Sequence, residues 1–379
     1  MNINNLTLIF YNLEKEHLGK DVFLVPYYLG KKLKCKTTIV YQNKLTNRFF
    51  KDKFRNINLI PLKNIFLLKG LEKISFFISS LFYVIFKGKK IDLLMTFHFR
   101  TTSAILCMLY KLVNPNGKFY LKVDGGKDII EVRKNASFIK NRIYNILLKQ
   151  SDYISLETDL AYQLWKKNLN IPEKIFFIEN GFDEEELSKL SLKIRSFKEK
   201  ENIFITVGRL GAFEKNSQMF LNAIDKLSNV NNWLFYFIGP YDDDFKKEIK
   251  QFFAINTHLK EKVIFTGPIY DKSVLWEYYN RAKVFVLTSR SEGYPIVFSE
   301  AYRFQNYIIT TRIGGAEDIL LKNNNFGKII DQDNSEQLKS VIEKIISDNN
   351  YFIQYHNSNY TDNSWNKHLS SLTKNIRLS

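Results

Sequence analysis

Two carboxylates, Glu292 and Glu300, lie eight positions apart in the stretch Ser291-Glu-Gly-Tyr-Pro-Ile-Val-Phe-Ser-Glu300, and the residues between them describe a turn entering a helix. Gly293 permits close backbone approach, and Pro295 suits the first turn of a helix. Glu300 therefore falls inside that helix while Glu292 sits in the loop before it. The first amides of a helix have no partner within it and point outward, so a phosphate fits there and both carboxylates can grip sugar hydroxyls nearby. Two glutamates at this spacing equally describe a solvated helix face. What favours a ligand site is the preceding run, Ala282-Lys-Val-Phe-Val-Leu-Thr-Ser-Arg-Ser, which reads as a buried parallel strand feeding the pair.

Positive charge falls in a matching place. Arg209 and Lys215 follow the strand-like run Ile203 to Val207, with Gly208 freeing the backbone where the strand ends. Open α/β sheets bind ligands beyond the C-terminal ends of their strands, and a departing diphosphate needs cations while its bond breaks. No metal is expected to supply that charge. The five histidines, His17, His98, His258, His356 and His368, are dispersed, and Asp242-Asp-Asp244 reads as a solvated helix start. A P-loop and a Gly-x-Gly-x-x-Gly after the first strand are both missing, which argues against a nucleotide hydrolase or a dehydrogenase.

The elements that must position these groups alternate along the whole chain. Leu6 to Phe10, Thr37 to Tyr41, Leu93 to Phe97, Lys118 to Val123 and Tyr153 to Leu156 are short β-branched or aromatic runs, each followed by a helical or loop stretch. The pattern restarts at Asn202 to Gly208 and continues through Trp233 to Gly239, Val263 to Gly267, Val284 to Thr288 and Tyr307 to Thr311. Such alternation predicts parallel α/β sheets, and 379 residues suggest two domains. The charged stretch 184–201 reads as a linker or exposed helix, with a hinge near Asn180-Gly181. Trp365, His368, Leu369, Leu372 and Ile376 carry helical spacing at the far end.

Taken in order, several stretches resemble the retaining GT-B glycosyltransferases of group 1, or family 4. They are Asn180-Gly-Phe-Asp183, Val207-Gly-Arg-Leu with Glu214-Lys-Asn216, Gly239-Pro240, Phe265-Thr-Gly-Pro-Ile-Tyr270, Glu292-x7-Glu300 and Gly314-Gly-Ala-Glu317. The resemblance spans essentially residues 90–379. It implies two Rossmann-like doubly wound domains facing across a cleft: 1–183 for the acceptor, joined by a returning helix in 361–379, and 184–360 for the nucleotide-sugar. It further implies catalytic roles for Glu292, Arg209, Lys215 and Asp124, and donor contacts from Glu300, Gly293, Tyr294, Pro295, Ile269 and Gly208.

On the acceptor side the resemblance points to His98, which follows the strand Leu93 to Phe97, and to the first loop. Family members usually carry a double glycine in that loop, whereas here it reads Glu16-His17-Leu-Gly19-Lys20-Asp21, with His17 and a single Gly19. Asp124 stands where a histidine often contacts the donor sugar, and can accept from a donor or acceptor hydroxyl or cap the next helix. The implied reaction moves a sugar, with retention, from a nucleotide-sugar to a glycan or lipid-linked acceptor, without metal or other cofactor. Bacterial surface polysaccharide synthesis is the implied setting. A sugar-nucleotide epimerase or a phosphorylase of the same architecture is the alternative.

Charge is unevenly placed. Residues 1–183 hold 30 Lys and Arg against 15 Asp and Glu, while the rest of the chain holds 26 against 24. A basic half suits an anionic partner, either nucleic acid or the cytoplasmic face of a membrane, although a lysine-rich proteome gives the same excess. No nucleic-acid-binding pattern of interleaved aromatics and cations is present. Lysines flank the amphipathic run Leu62 to Ile78, which could rest on anionic lipid. The apolar segment Ile74 to Phe86 is too short to span a bilayer. Cys35 and Cys107 have no metal spacing, and the start lacks a signal-peptide pattern, so a cytoplasmic protein, peripheral on the membrane, is expected.

Overall fold

In a computed structural model, described here for residues 2–43, 53–65, 70–125, 131, 133–322, 326–348, 350–353 and 360–378, the chain divides into two compact units. One comprises Met1–Asp183 with Ser364–Ser379, and the other Glu184–Asn363.

The first unit is built on eight strands: β1 (Asn5–Phe10), β2 (Lys36–Gln42), β3 (Lys53–Phe54), β4 (Ile57–Leu62), β5 (Leu93–Phe97), β6 (Lys118–Val123), β7 (Tyr153–Leu156) and β8 (Ile175–Phe177). Their order is β3-β4-β2-β1-β5-β6-β7-β8, and every pairing is parallel except the β3–β4 edge. Strand order therefore reverses at β1, whose neighbours are β2 and β5. One face of the sheet is covered by the helices Asp21–Leu33 and Ser370–Leu378, and Trp365, Leu369, Leu372 and Ile376 lie at most 1% exposed in that core. The return to this unit begins at Ser364, three residues later than the sequence pattern placed it. A second core, around Phe76, Tyr110, Tyr144 and Trp165, fills the opposite face.

Six strands form the second sheet: β9 (Glu201–Val207), β10 (Leu234–Ile238), β11 (Val263–Gly267), β12 (Ala282–Leu287), β13 (Tyr307–Thr311) and β14 (Gly327–Ile330), in the order β11-β10-β9-β12-β13-β14. All are parallel, and the order reverses between β9 and β12. Fully parallel sheets need both faces covered. β12 accordingly buries Val284, Phe285 and Val286 completely.

The stretch 184–201 is not a bare linker. It opens the second unit with a short helix, Glu184–Leu187, whose Glu184 pairs with Arg303 Nε at 2.5 Å, and it buries Phe197 in that unit's core. Leu187 is buried as well, and Lys200 Nζ donates to the Tyr279 and Asn280 carbonyl oxygens at 3.1 and 2.8 Å, so the segment is docked along its length.

Candidate active site

The reversal between β9 and β12 places two loops side by side beyond the strand ends, where doubly wound sheets bind ligands. One is Gly208 to Asn216, leading into the helix Ser217–Asp225. The other is Thr288 to Pro295, leading into the helix Ile296–Arg303. They meet in an ion pair between Lys215 Nζ and Glu292 Oε1, whose side chains are 22% and 16% exposed. Ser289 Oγ donates to the same carboxylate oxygen at 3.0 Å. Arg209 pairs instead with Glu214 and is two-thirds exposed.

Glycines permit the close passage of these loops. Gly239, at φ +143°, passes so near that an added Cβ would lie 1.8 Å from the Gly208 carbonyl oxygen. At Gly314 a Cβ would come within 1.9 Å of the Gly293 oxygen, and the Gly314 amide donates to Glu292 O at 3.2 Å. Gly315, at φ +74°, seats its Cα against the buried Tyr294 ring. The close approach expected of Gly293 is thus made by Gly314 against it.

Pro295 caps the helix, one position before its first residue, with φ −61° and ψ 128°. Glu300 lies one turn further in and is only 4% exposed. Its Oε1 accepts from Lys272 Nζ at 2.6 Å and Trp276 Nε1 at 3.0 Å, and its Oε2 from Tyr279 OH at 3.2 Å. Burial, then the Glu300 charge, holds the Tyr279 phenol well above its ordinary range, so it stays a donor. A carboxylate offers about four lone-pair sites, and three donors leave about one for a ligand hydroxyl. Ile269 is half-buried in the loop after β11, following Gly267 at φ +71°.

The first unit gathers its candidates at its own reversal, between β1 and β5. His98 follows β5 with φ +69°, an uncommon conformation for a histidine. Its amide donates to Lys122 O at 2.9 Å, its carbonyl accepts from Ser103 Oγ at 2.9 Å, and its Nδ1 pairs with Asp124 Oδ1. Burial works to raise the Asp124 carboxyl, but the His98 hydrogen bond, the His98 charge and Lys122 outweigh it, and the group sits below its ordinary value.

The Phe10 ring, at the end of β1, stands 5.7 Å from the His17 ring and 6.2 Å from the His98 ring. His17 occupies the turn Lys15–Gly19, where its Nδ1 accepts from the Glu14 amide at 2.9 Å. Burial, then Lys20, lowers its pKa. Glu14, Glu16 and His17 place ligand atoms within 4.8 Å of one another, a spacing that could hold an ion. Residues 126–130, where the helix that Asp124 was weighed as capping would begin, fall outside the described residues.

Residues 188–362 match the family model described as glycosyl transferases group 1. The matched stretch is a little under half of the chain and lies within its second unit. A relative from Campylobacter jejuni, GalNAc-alpha-(1->4)-GalNAc-alpha-(1->3)-diNAcBac-PP-undecaprenol alpha-1,4-N-acetyl-D-galactosaminyltransferase, is 28% identical over 231 residues. That alignment covers 59% of this chain and 59% of the relative, so the match spans less than two thirds of the relative's length. Over the whole chain the fold is GT-B. Sucrose-phosphate synthase from Thermosynechococcus elongatus superposes with a TM-score of 0.72 at 14% identity, covering 99% of this chain and 98% of that one. Anabaena HepE in complex with UDP and glucose gives 0.67 at 12% identity, covering 98% and 100%.

Within the second unit, sequence patterns missed the side chains that hold the candidates in place. Arg290 donates to Phe213 O at 2.7 Å and to Asp333 at 2.6 Å, stacks 4.5 Å over the Phe213 ring, and gives its amide to Glu214 O at 2.8 Å. It thereby ties the loop bearing Lys215 to the loop bearing Glu292. Arg290 precedes Glu292 by two residues, and that adjacency is a signal that could have marked it. Lys272, 28 residues upstream of Glu300, carried no such mark.

Proposed function

We propose that this chain is a retaining glycosyltransferase that moves a sugar from a nucleotide-sugar to a glycan or lipid-linked acceptor in surface polysaccharide synthesis. The observation that carries the reading is the Lys215–Glu292 pair beside the start of the helix Ile296–Arg303, at the reversal of the second sheet. Lys215, Arg209 and the helix amides would take the diphosphate, with no metal required. Glu292 would face the sugar, and the remaining acceptor site of Glu300 the ribose. Gly208, Gly293, Tyr294, Pro295 and Ile269 would shape the nucleotide's surroundings.

In the reaction, the bond from the anomeric carbon to the diphosphate oxygen breaks as the bond to the acceptor oxygen forms on the same face. The acceptor's proton passes to the departing phosphate, so no protein base is needed. His98 and Asp124 would orient a substrate hydroxyl, with His17 and Gly19 bordering the same end of the first sheet. The undecaprenol diphosphate in the Campylobacter relative's name supports a lipid-linked acceptor. NMR of the product decides the stereochemistry: an α-configured donor should give an α-linked product with EDTA present. A β-linked product, a sugar phosphate or an epimerised nucleotide would contradict the reading.

A cytoplasmic, peripheral location follows from the same proposal. Among the described residues no helix is long and apolar enough to cross a membrane. The helix Glu72–Lys87 exposes Phe82, Ile85 and Phe86, the last 74% exposed, with Lys73, Lys87, Lys89 and Lys90 around them. Residues 66–69 of the basic run lie outside the described residues. Such a face suits an anionic bilayer. Vesicles containing phosphatidylglycerol should sediment the protein at low salt, and Phe86→Asp with Phe82→Asp should abolish this. Equal recovery with neutral vesicles would contradict an electrostatic component.

A further inference from the structure

The first unit buries a lysine among carboxylates, a costly arrangement that stability alone does not call for. Lys122, near the end of β6, is 1% exposed. Its Nζ lies 2.9 Å from Asp21 Oδ2 and 3.1 Å from Glu157 Oε2, and Glu157 itself is 3% exposed in its side chain. Asp21 opens the helix that follows the His17 loop, and Glu157 is the first residue after β7. The ammonium also sits 5.3 Å over the Phe97 ring, next to His98. Three neighbouring elements are therefore pinned to one cation.

The cluster closes around the His98–Asp124 pair. Lys122 O accepts the His98 amide at 2.9 Å, and Glu157 Oε1 accepts the amide of Gly125, the residue after Asp124, at 3.1 Å. Asn180 Nδ2 reaches Glu157 Oε2 at 3.4 Å. Burial raises the Glu157 carboxyl against the pull of Lys122, consistent with a group held in place by its partners.

We propose that Glu157, held by the Lys122 ammonium, is a positioning residue that fixes Asp124, and His98 paired with it, for contact with a substrate hydroxyl, acting through the Gly125 amide. The inference rests on the transferase reading above, but its geometry lies wholly within the first unit. Glu157 works by accepting a hydrogen bond and by its charge, so the isosteric Glu157→Gln keeps the first and loses the second.

A double-mutant cycle separates positioning from mere support. Glu157→Ala should lower kcat about tenfold with the donor KM within twofold, Glu157→Gln should recover at least half of that loss on a logarithmic scale, and in a background carrying both His98→Ala and Asp124→Ala, Glu157→Ala should do nothing further. Additive losses would overturn the proposal. A second readout is independent of the reaction. In ¹⁵N-edited NMR of the full chain, Glu157→Ala should move the His98 ring nitrogen resonances. An unmoved His98 would overturn the positioning claim even in an active enzyme. If no transfer is found with any donor but His98 still responds, the transferase reading fails and the positioning claim stands.

Discussion

Lys215→Ala is expected to lower kcat/KM for sugar transfer by about 10²–10³-fold, the loss typical of removing one preorganised group from a developing negative charge. Lys215 is held between the two loops of the second sheet's reversal, mostly shielded from water, with its ammonium already against Glu292. A cation in such a place needs little reorganisation when a diphosphate departs. Its removal also leaves Glu292 with the Ser289 hydroxyl and no opposing charge among the described contacts, which repels the incoming phosphates. Arg209→Ala should cost less, about tenfold, because Arg209 is two-thirds exposed and paired with Glu214 across water. Steady-state kinetics on the two variants checks the ranking. An Arg209 loss larger than the Lys215 loss would reverse the assigned roles.

The second large effect is on folding. Glu300→Leu should destabilise the second unit by about 3–5 kcal/mol, because it removes the acceptor that the buried Trp276 indole and Tyr279 hydroxyl share and the charge opposite the half-buried Lys272. Against a domain stability of about 5–15 kcal/mol this is a large share. At roughly 2–4 °C per kcal/mol for a domain of this size, the melting transition should fall by about 6–20 °C. Glu300→Gln retains one acceptor and should cost less. Adding Lys272→Met to Glu300→Leu should recover part of the loss, since the two share one interaction. Differential scanning calorimetry of the three variants measures this. A Glu300→Leu melting temperature within 2 °C of wild type would show that the carboxylate has no structural part and exists for ligand alone.

How far the sequence led depended on the kind of residue. Buried central strands such as β9 and β12 announced themselves as apolar β-branched runs ending in glycine or a polar turn, and their ends marked the loops where Arg209, Lys215 and Glu292 now sit. Strands at or beside the sheet edges did not. β4, next to the two-residue edge strand β3, contains Pro61, which speaks against a strand on pattern alone, β8 is three residues long, and β14 starts at a glycine. Pairings were illegible for a different reason. Glu300 and Lys272 belong to separate helices, and Lys122, Asp21 and Glu157 come from positions 21 to 157, so only the strand order brings them together. His98 and Asp124 were singled out separately, each from the end of its own strand. That β5 and β6 are neighbours, and so that the two side chains meet, follows from sheet topology and not from either residue's surroundings in the chain.

The most direct test of the central claim is calorimetric titration of UDP-, GDP-, ADP- and CMP-sugars, in EDTA, against wild type, Lys215→Ala and the remote control Lys339→Ala. One nucleotide-sugar should bind wild type and the control equally at one site, and Lys215→Ala at least tenfold more weakly, about 1.4 kcal/mol. Equal affinity for Lys215→Ala would place the diphosphate elsewhere and contradict the account.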